Sequence, residues 1–391
     1  MRNATETLTR QYKVVALLVG CSLLLLAWLT PAAAAACSPW PLWQSFQHHL
    51  LSEDGRVIDD HTPAQHSTSE GQAYALFMAL VNNDQKLFDL LLRWTENNLA
   101  RGSLEAHLPA WQWGRKKDGD WGVIDTNSAS DADLWITYSL AEAGRLWRRP
   151  RLTKMAKSLA RRILKEESQH LPGLGLMLLP GIRGFALQAG RWRLNPSYLP
   201  LQLLRRMETL QPSAGWREIL ENTVTMLHAS GNGFIPDWII YDTQLGFLPD
   251  EAHDASGSYG AIRNYLWVGM LSPDEPLRLP LLKLMRPMAE RVKQLGAPPR
   301  NVNTKTGQSS GLGSPGFSAS LMPLLKALKY PRELALLQGQ TQRILQHPNH
   351  YYDQVLALFA LGWMEGRYQF GRDGGLQPFW KSSCTENSSH S

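Results

Sequence analysis

Helical spacing dominates the pattern of apolar and polar positions along the chain. Apolar side chains recur in Ala73, Tyr74, Phe77, Leu80 and Val81, and again in Leu134, Trp135, Tyr138 and Ala141. Leu152, Met155, Leu159 and Ile163 repeat the spacing, as do Trp216, Ile219, Leu220, Val224 and Leu227. Tyr259, Ile262, Leu266 and Met270 continue it, and Tyr352, Val355, Leu356, Phe359 and Trp363 close the series. Each set lays a stripe along one face of a 3.6-residue helix. Further helices are expected over 38–52, 84–100, 198–210, 274–295, 316–328 and 331–346, about a dozen in all. Strand alternation is scarce. The stretch 176–194, with Gly181, Gly184 and Gly190 as turn residues, predicts a small β-hairpin. The Gly/Pro-rich stretches 102–128 and 296–315 read as loops between helices. The helices show no fixed repeat length, which counts against a solenoid. The expected fold is therefore all-α, an (α/α)6 barrel over residues 37–380, with an inner ring of helices wrapped by an outer one.

The N-terminal end carries a different pattern. Arg2, Arg10 and Lys13 precede a nearly unbroken apolar run from Val14 to Leu29, then Pro31 and the small residues Ala32 to Ala36. That order describes a secretory signal peptide over 1–36, cut near Ala35 or Ala36. The expected location is periplasmic or secreted, with no membrane span after processing. The formal charge is +6, and losing Arg2, Arg10, Lys13 and Glu6 leaves +4. So small and dispersed a charge argues against a nucleic-acid partner. Cys21 leaves with the signal, so Cys37 and Cys384 stand near opposite ends of the processed chain. In an oxidising compartment they are expected to form a disulfide worth about 4–5 kcal/mol in the chain-entropy model. The polar, Ser-rich segment 381–391 reads as a flexible tail.

Two helices are expected to begin with acids. Ser69 is the expected N-cap before Glu70, and Ser128-Ala-Ser130 precedes Asp131 and Asp133. Acids in a first turn complement the helix dipole and need no other purpose. Tryptophan changes the picture, because several of the 15 fall in loops: Trp111 and Trp113 in Pro109–Gly114, then Trp121, and Trp238 after Pro236-Asp237. Flat indole faces beside acids and amides are what a sugar-binding groove requires. His48-His49 and His61…His66 lack partners at ligand spacing, so no metal site is expected. Gly311-Leu-Gly313-Ser-Pro315 does not follow a strand and reads as no phosphate loop. No cofactor is implied.

The segment Ala129-Ser-Asp-Ala-Asp-Leu-Trp-Ile-Thr-Tyr-Ser139, continuing to Trp147, resembles the signature of glycoside hydrolase family 8, with Thr137 where alanine is usual. Thr68-Ser-Glu-Gly-Gln72 matches that family's general-acid motif at Glu70. Pro109–Gly114, Pro172–Gly181, Asn195–Pro200 and Pro236–Trp238 are similar to endoglucanases of bacterial cellulose-synthesis operons. The resemblance implies an (α/α)6 barrel, endo-β-1,4-glucanase activity with inversion, and a β-1,4-glucan substrate. It also implies a link to the cellulose synthase machinery, and a monomer is expected. It assigns Glu70 the proton-donor role and Asp131 the second essential carboxylate. Trp111, Trp113, Tyr198, Trp238, Tyr259 and Arg263 are the candidate substrate-binding residues.

One departure bears on mechanism. The family usually carries its base in Ser-Tyr-Asp-Ala-x-Arg, whereas this chain reads Ser258-Tyr-Gly260-Ala-Ile-Arg263. Asp131, Asp254 or Asp242 then becomes the candidate base. Alternatively the chain binds glucan as an accessory protein with impaired turnover. A relative acting on chitosan, xylan or mixed-linkage glucan is a further alternative.

Overall fold

The computed structural model describes residues 39–381 apart from 60–63, 189, 231 and 349. The expected signal peptide, His61, Cys37 with its expected bridge to Cys384, and the tail beyond 381 lie outside the described residues.

Twelve α-helices occur among the described residues. They are α1 (Pro41–Leu50), α2 (Ser69–Val81), α3 (Gln85–Asn98), α4 (Ser130–Leu146), α5 (Pro150–Glu166) and α6 (Leu201–Leu210). The second half holds α7 (Trp216–Ala229), α8 (Ile262–Gly269), α9 (Arg278–Leu295), α10 (Pro315–Leu328), α11 (Pro331–Thr341) and α12 (Tyr351–Met364). Helices buried on every side alternate with helices buried on one. In α4 even Ser130, Thr137, Ser139 and Glu142 are buried, whereas α5 buries only the stripe of Leu152, Met155, Ala156, Leu159, Ala160 and Ile163. A helix apolar or buried all round belongs inside, and an amphipathic one belongs at the surface.

The packing follows that division. Each even-numbered helix packs on the next, from α2 through α12, and α12 returns to α2 where Phe359 meets Tyr74 and Phe77 at ring separations of 5.3 and 5.4 Å. The odd-numbered helices wrap them, with α3 on α2, α5 on α4 and α1 on α12. This is the (α/α)6 barrel. Phe77, Trp135, Trp267 and Phe359 fill its axis, with Trp135 4.9 Å from Phe359 and 5.4 Å from Trp267. Inner helix α4 and outer helix α5 approach closely at Gly144, where a Cβ would lie 2.3 Å from Thr153 Oγ1.

Short strands decorate the barrel's connections. Ser67–Thr68 (β1), Gln112–Arg115 (β2) and Trp121–Asp125 (β3) form one antiparallel sheet, so the expected loop 102–128 contains two strands. The expected hairpin over 176–194 is not formed. Its first half, Gly175–Leu178 (β5), pairs back onto Ser168–Leu171 (β4) across a turn at Pro172–Leu174. Its second half, Arg191–Leu194 (β6), pairs with Ile239–Asp242 (β7), which continues to Gly246–Pro249 (β8). The other expected loop, 296–315, contains Pro299–Asn303 (β10) and Ser309–Leu312 (β11), which form a sheet with Ser256–Gly257 (β9), and Tyr368–Phe370 (β12) pairs with Leu376–Pro378 (β13).

Candidate active site

The N-termini of the inner helices converge on one mouth of the barrel and line a cleft of about 420 Å³. Helix α2 brings Glu70 and Tyr74, α8 brings Arg263, and α12 brings Tyr351 and Tyr352. Asn195 and Tyr198 come from the turn before α6, and Asp237 and Trp238 from the segment before β7. Orphan N–H groups and the positive ends of several helix dipoles thus face the same space, favouring carboxylates there.

Glu70 lies in the first turn of α2. Its N-cap is Thr68 rather than the expected Ser69: Thr68 Oγ1 accepts from the Gly71 N–H at 3.1 Å, and Ser69 is fully buried. Glu70 Oε1 accepts from the Trp111 indole N–H at 3.2 Å. Burial, and then the nearby charge of Asp131, raise the Glu70 pKa to about 7 against the lowering influence of backbone and Arg263. Such a carboxyl carries a proton in mildly acidic solution, as a general acid must.

Asp131 occupies the same first-turn position on α4 and is 1% exposed. Its Oδ2 accepts from Arg263 at 2.8 Å and its Oδ1 from the Ala132 N–H at 2.9 Å. Arg263 also donates to the Tyr74 hydroxyl at 2.9 Å and to Ser197 Oγ at 2.8 Å, while its guanidinium lies 5.4 Å from the Tyr198 ring centre. One arginine therefore ties together α2, α4 and the turn before α6. Asp133, two residues further along the same first turn of α4, is buried beside Glu167. Burial pushes both upward, Glu167 to about 8, and the Glu167 charge raises Asp133 further while Asp133 lowers Glu167 as a hydrogen-bond donor, so this pair retains a proton, held on Asp133.

The model of glycosyl hydrolases family 8 matches residues 16–366. The chain belongs to this family. It is 47% identical over 365 residues to an endoglucanase of Xanthomonas axonopodis pv. citri, covering 90% of this chain and 94% of that protein. An endoglucanase of Escherichia coli K12 is 42% identical over 357 residues, with the same coverage of 90% and 94%. Among solved structures, the endo-1,4-D-glucanase of Vibrio fischeri superposes with a TM-score of 0.82 at 43% identity, over 88% of this chain and all of that one.

In this family 8 chain the sequence-derived candidates separate into two groups. Glu70, Trp111, Tyr198, Trp238, Tyr259 and Arg263 line the cleft, with Asp131 buried directly behind Arg263. Trp238 stacks near Phe185 at 5.9 Å and Tyr198 at 6.2 Å, and Tyr259 is 55% exposed at the rim. Trp113 is not in the cleft lining. It stacks on Trp121 at 5.4 Å, under the Arg56 guanidinium 4.6 Å from its ring centre. Asp242 is likewise elsewhere: it pairs with Arg191 at 2.6 Å and closes the β7–β8 turn by accepting the Gln244 and Leu245 N–H groups, which lower its pKa. Asp254 is exposed with φ of +56°, and its carbonyl accepts from Asn303. Neither is in the cleft lining. Sequence reasoning did not single out Tyr74, Ser197, Tyr351, Tyr352 or Asp237. Asp237 and Ser197 carried a signal, their places in Pro236-Asp-Trp238 and Asn195–Pro200.

Proposed function

We propose that the chain is an endo-β-1,4-glucanase that hydrolyses cellulose chains with inversion, outside the cytoplasm and in association with cellulose synthesis. The observation that carries this reading is Glu70, a carboxyl whose pKa is raised to about 7 in an aromatic-lined cleft. A glucan chain would lie in the cleft against Trp111, Tyr198, Trp238 and Tyr259. Glu70 would protonate the glycosidic oxygen while a carboxylate on the far wall activates water, the two separated by roughly 6.5–9.5 Å in inverting enzymes. Asp131 would act from behind, raising the Glu70 pKa and orienting Arg263 toward the reacting sugar. The named activities of the relatives support the substrate class. The basic and apolar start of the chain supports export, and no helix among the described residues is long and apolar enough to cross a membrane. The sequence likeness to endoglucanases of cellulose-synthesis operons supports the biological setting.

The test is release of reducing ends from carboxymethylcellulose together with its viscosity. An endo-acting enzyme drops the viscosity early, and Glu70→Gln should lower kcat by about 10²–10⁴-fold while melting like the parent. Binding of the polymer without reducing-end release would instead favour the accessory-protein reading.

A further inference from the structure

The position where the resemblance expects a base is Gly260, which cannot take a proton. What stands beside it is another carboxylate. Asp237 Oδ1 accepts from the Ser258 N–H at 2.8 Å and the Ala261 N–H at 2.7 Å, so the side chain is clamped onto the start of α8. A Cβ on residue 260 would lie 3.1 Å from that same oxygen, and Gly260 and Asp237 both belong to the cleft wall. A side chain at 260 would therefore pack directly on the Asp237 carboxylate, and its absence leaves room there for water. The Gly260 N–H also acts on this carboxylate, so three backbone N–H groups at the start of α8 hold it at the cleft wall.

Placement agrees with the role. Helix α8 lies three inner helices round from α2, so Asp237 approaches the cleft from across the barrel from Glu70. That is the disposition of an inverting pair. We propose that Asp237 is the catalytic base of this chain, a role moved one side chain sideways from the position that Gly260 has vacated. This rests on the hydrolase reading above. In the reaction a water oxygen bonds to the anomeric carbon while Asp237 takes one of its protons. The bond from that carbon to the glycosidic oxygen breaks, its electron pair goes to the leaving oxygen, and Glu70 supplies the proton. Water is thereby added across the bond, and solvent exchange returns both carboxyls to their starting forms. Burial raises the Asp237 pKa despite its backbone partners and the nearby Arg263, which suits a base better than a fully stabilised carboxylate would.

The experiment compares Asp237→Asn, Gly260→Asp and the double variant with the parent on cellopentaose. The amide keeps an oxygen for the Ser258 and Ala261 N–H groups, so folding should persist, as a melting curve would show. The expected result is a kcat lower by about 10²–10⁴-fold in Asp237→Asn with KM within a few-fold. Gly260→Asp alone should bring no gain, because it crowds a second charge onto Asp237, yet in the double variant it should restore part of the lost kcat. An Asp237→Asn enzyme that keeps kcat within threefold would overturn the assignment while leaving the hydrolase reading intact. So would a tenfold rise from Gly260→Asp alone, and that arm decides the matter if the amide variant does not fold. A parent that releases nothing from any β-glucan would overturn both.

Discussion

At the residue scale the chemistry turns on a conflict at Glu70. A helix N-terminus favours the carboxylate, but burial and the Asp131 charge favour the acid, and the acid form prevails up to about pH 7. With Glu70 in its proposed role as donor, activity should fall as pH rises through about 7, where it loses its proton. Asp131→Asn removes the like charge and frees Arg263 to act on Glu70, and both changes lower its pKa. We predict that the alkaline limb of the kcat profile moves to lower pH in Asp131→Asn, by more than in a variant of the exposed Asp254. A limb that stays in place would show that burial alone sets the Glu70 pKa. Glu70 and Asp131 were legible in the sequence because each sits in a local motif at a helix start. Tyr74 and Ser197 were not, because what recruits them is Arg263, a residue 189 and 66 positions away respectively. The cap was misplaced by one residue because Thr68 and Ser69 offer the same hydroxyl, and only backbone geometry separates them.

At the scale of elements, the first turn of α4 is held from beneath. Ser128 Oγ donates to Glu167 Oε1 at 2.5 Å and accepts from the Ile182 N–H at 3.2 Å, and the Ser130 N–H donates to the Pro180 carbonyl. Asp133 hangs from that turn beside Glu167, both buried. Their pKa values are raised on folding, so the folded state binds more protons than the unfolded one between roughly pH 4.5 and 8. Stability should therefore fall as pH rises across that window. Glu167→Gln, which keeps an oxygen for Ser128 and carries no charge, should flatten the dependence, read as melting temperature against pH. An unchanged slope would mean that the pair does not hold its proton. This pairing could not be read from the sequence, since Asp133 and Glu167 lie on different helical elements. The hairpin over 176–194 failed for the same reason. Local alternation identified β5 and β6 as extended, but their partners, β4 before and β7 well beyond, are fixed by tertiary packing.

At the scale of the whole molecule, the barrel was legible as about a dozen helices with no fixed repeat length, but the ring to which each belongs was not. Every set was read as a stripe on one face, whereas the structure buries α5 and α7 on one side and α2, α4 and α12 nearly all round. The sequence did not show what locks the ring at the end away from the cleft. Glu142 of α4 is fully buried, accepting from Arg206 of α6 at 2.5 Å and from the Leu376 N–H of β13 at 2.6 Å, with Arg145 also paired to it. It thus joins two inner helices to the C-terminal strand pair. Glu142→Ala leaves Arg206, only 11% exposed, without this partner, and should cost about 3–5 kcal/mol in chemical unfolding. A loss below about 1 kcal/mol would assign the barrel's closure to its aromatic axis alone.

In the proposed mechanism two carboxyls face each other across the cleft and deliver a proton and a water to opposite sides of one bond. Proton NMR of the products formed from cellopentaose in the first minutes, before the anomers equilibrate, tests it most directly. With inversion at a β-linkage, the newly released reducing ends appear first as the α-anomer. Reducing ends that appear first as the β-anomer would contradict it.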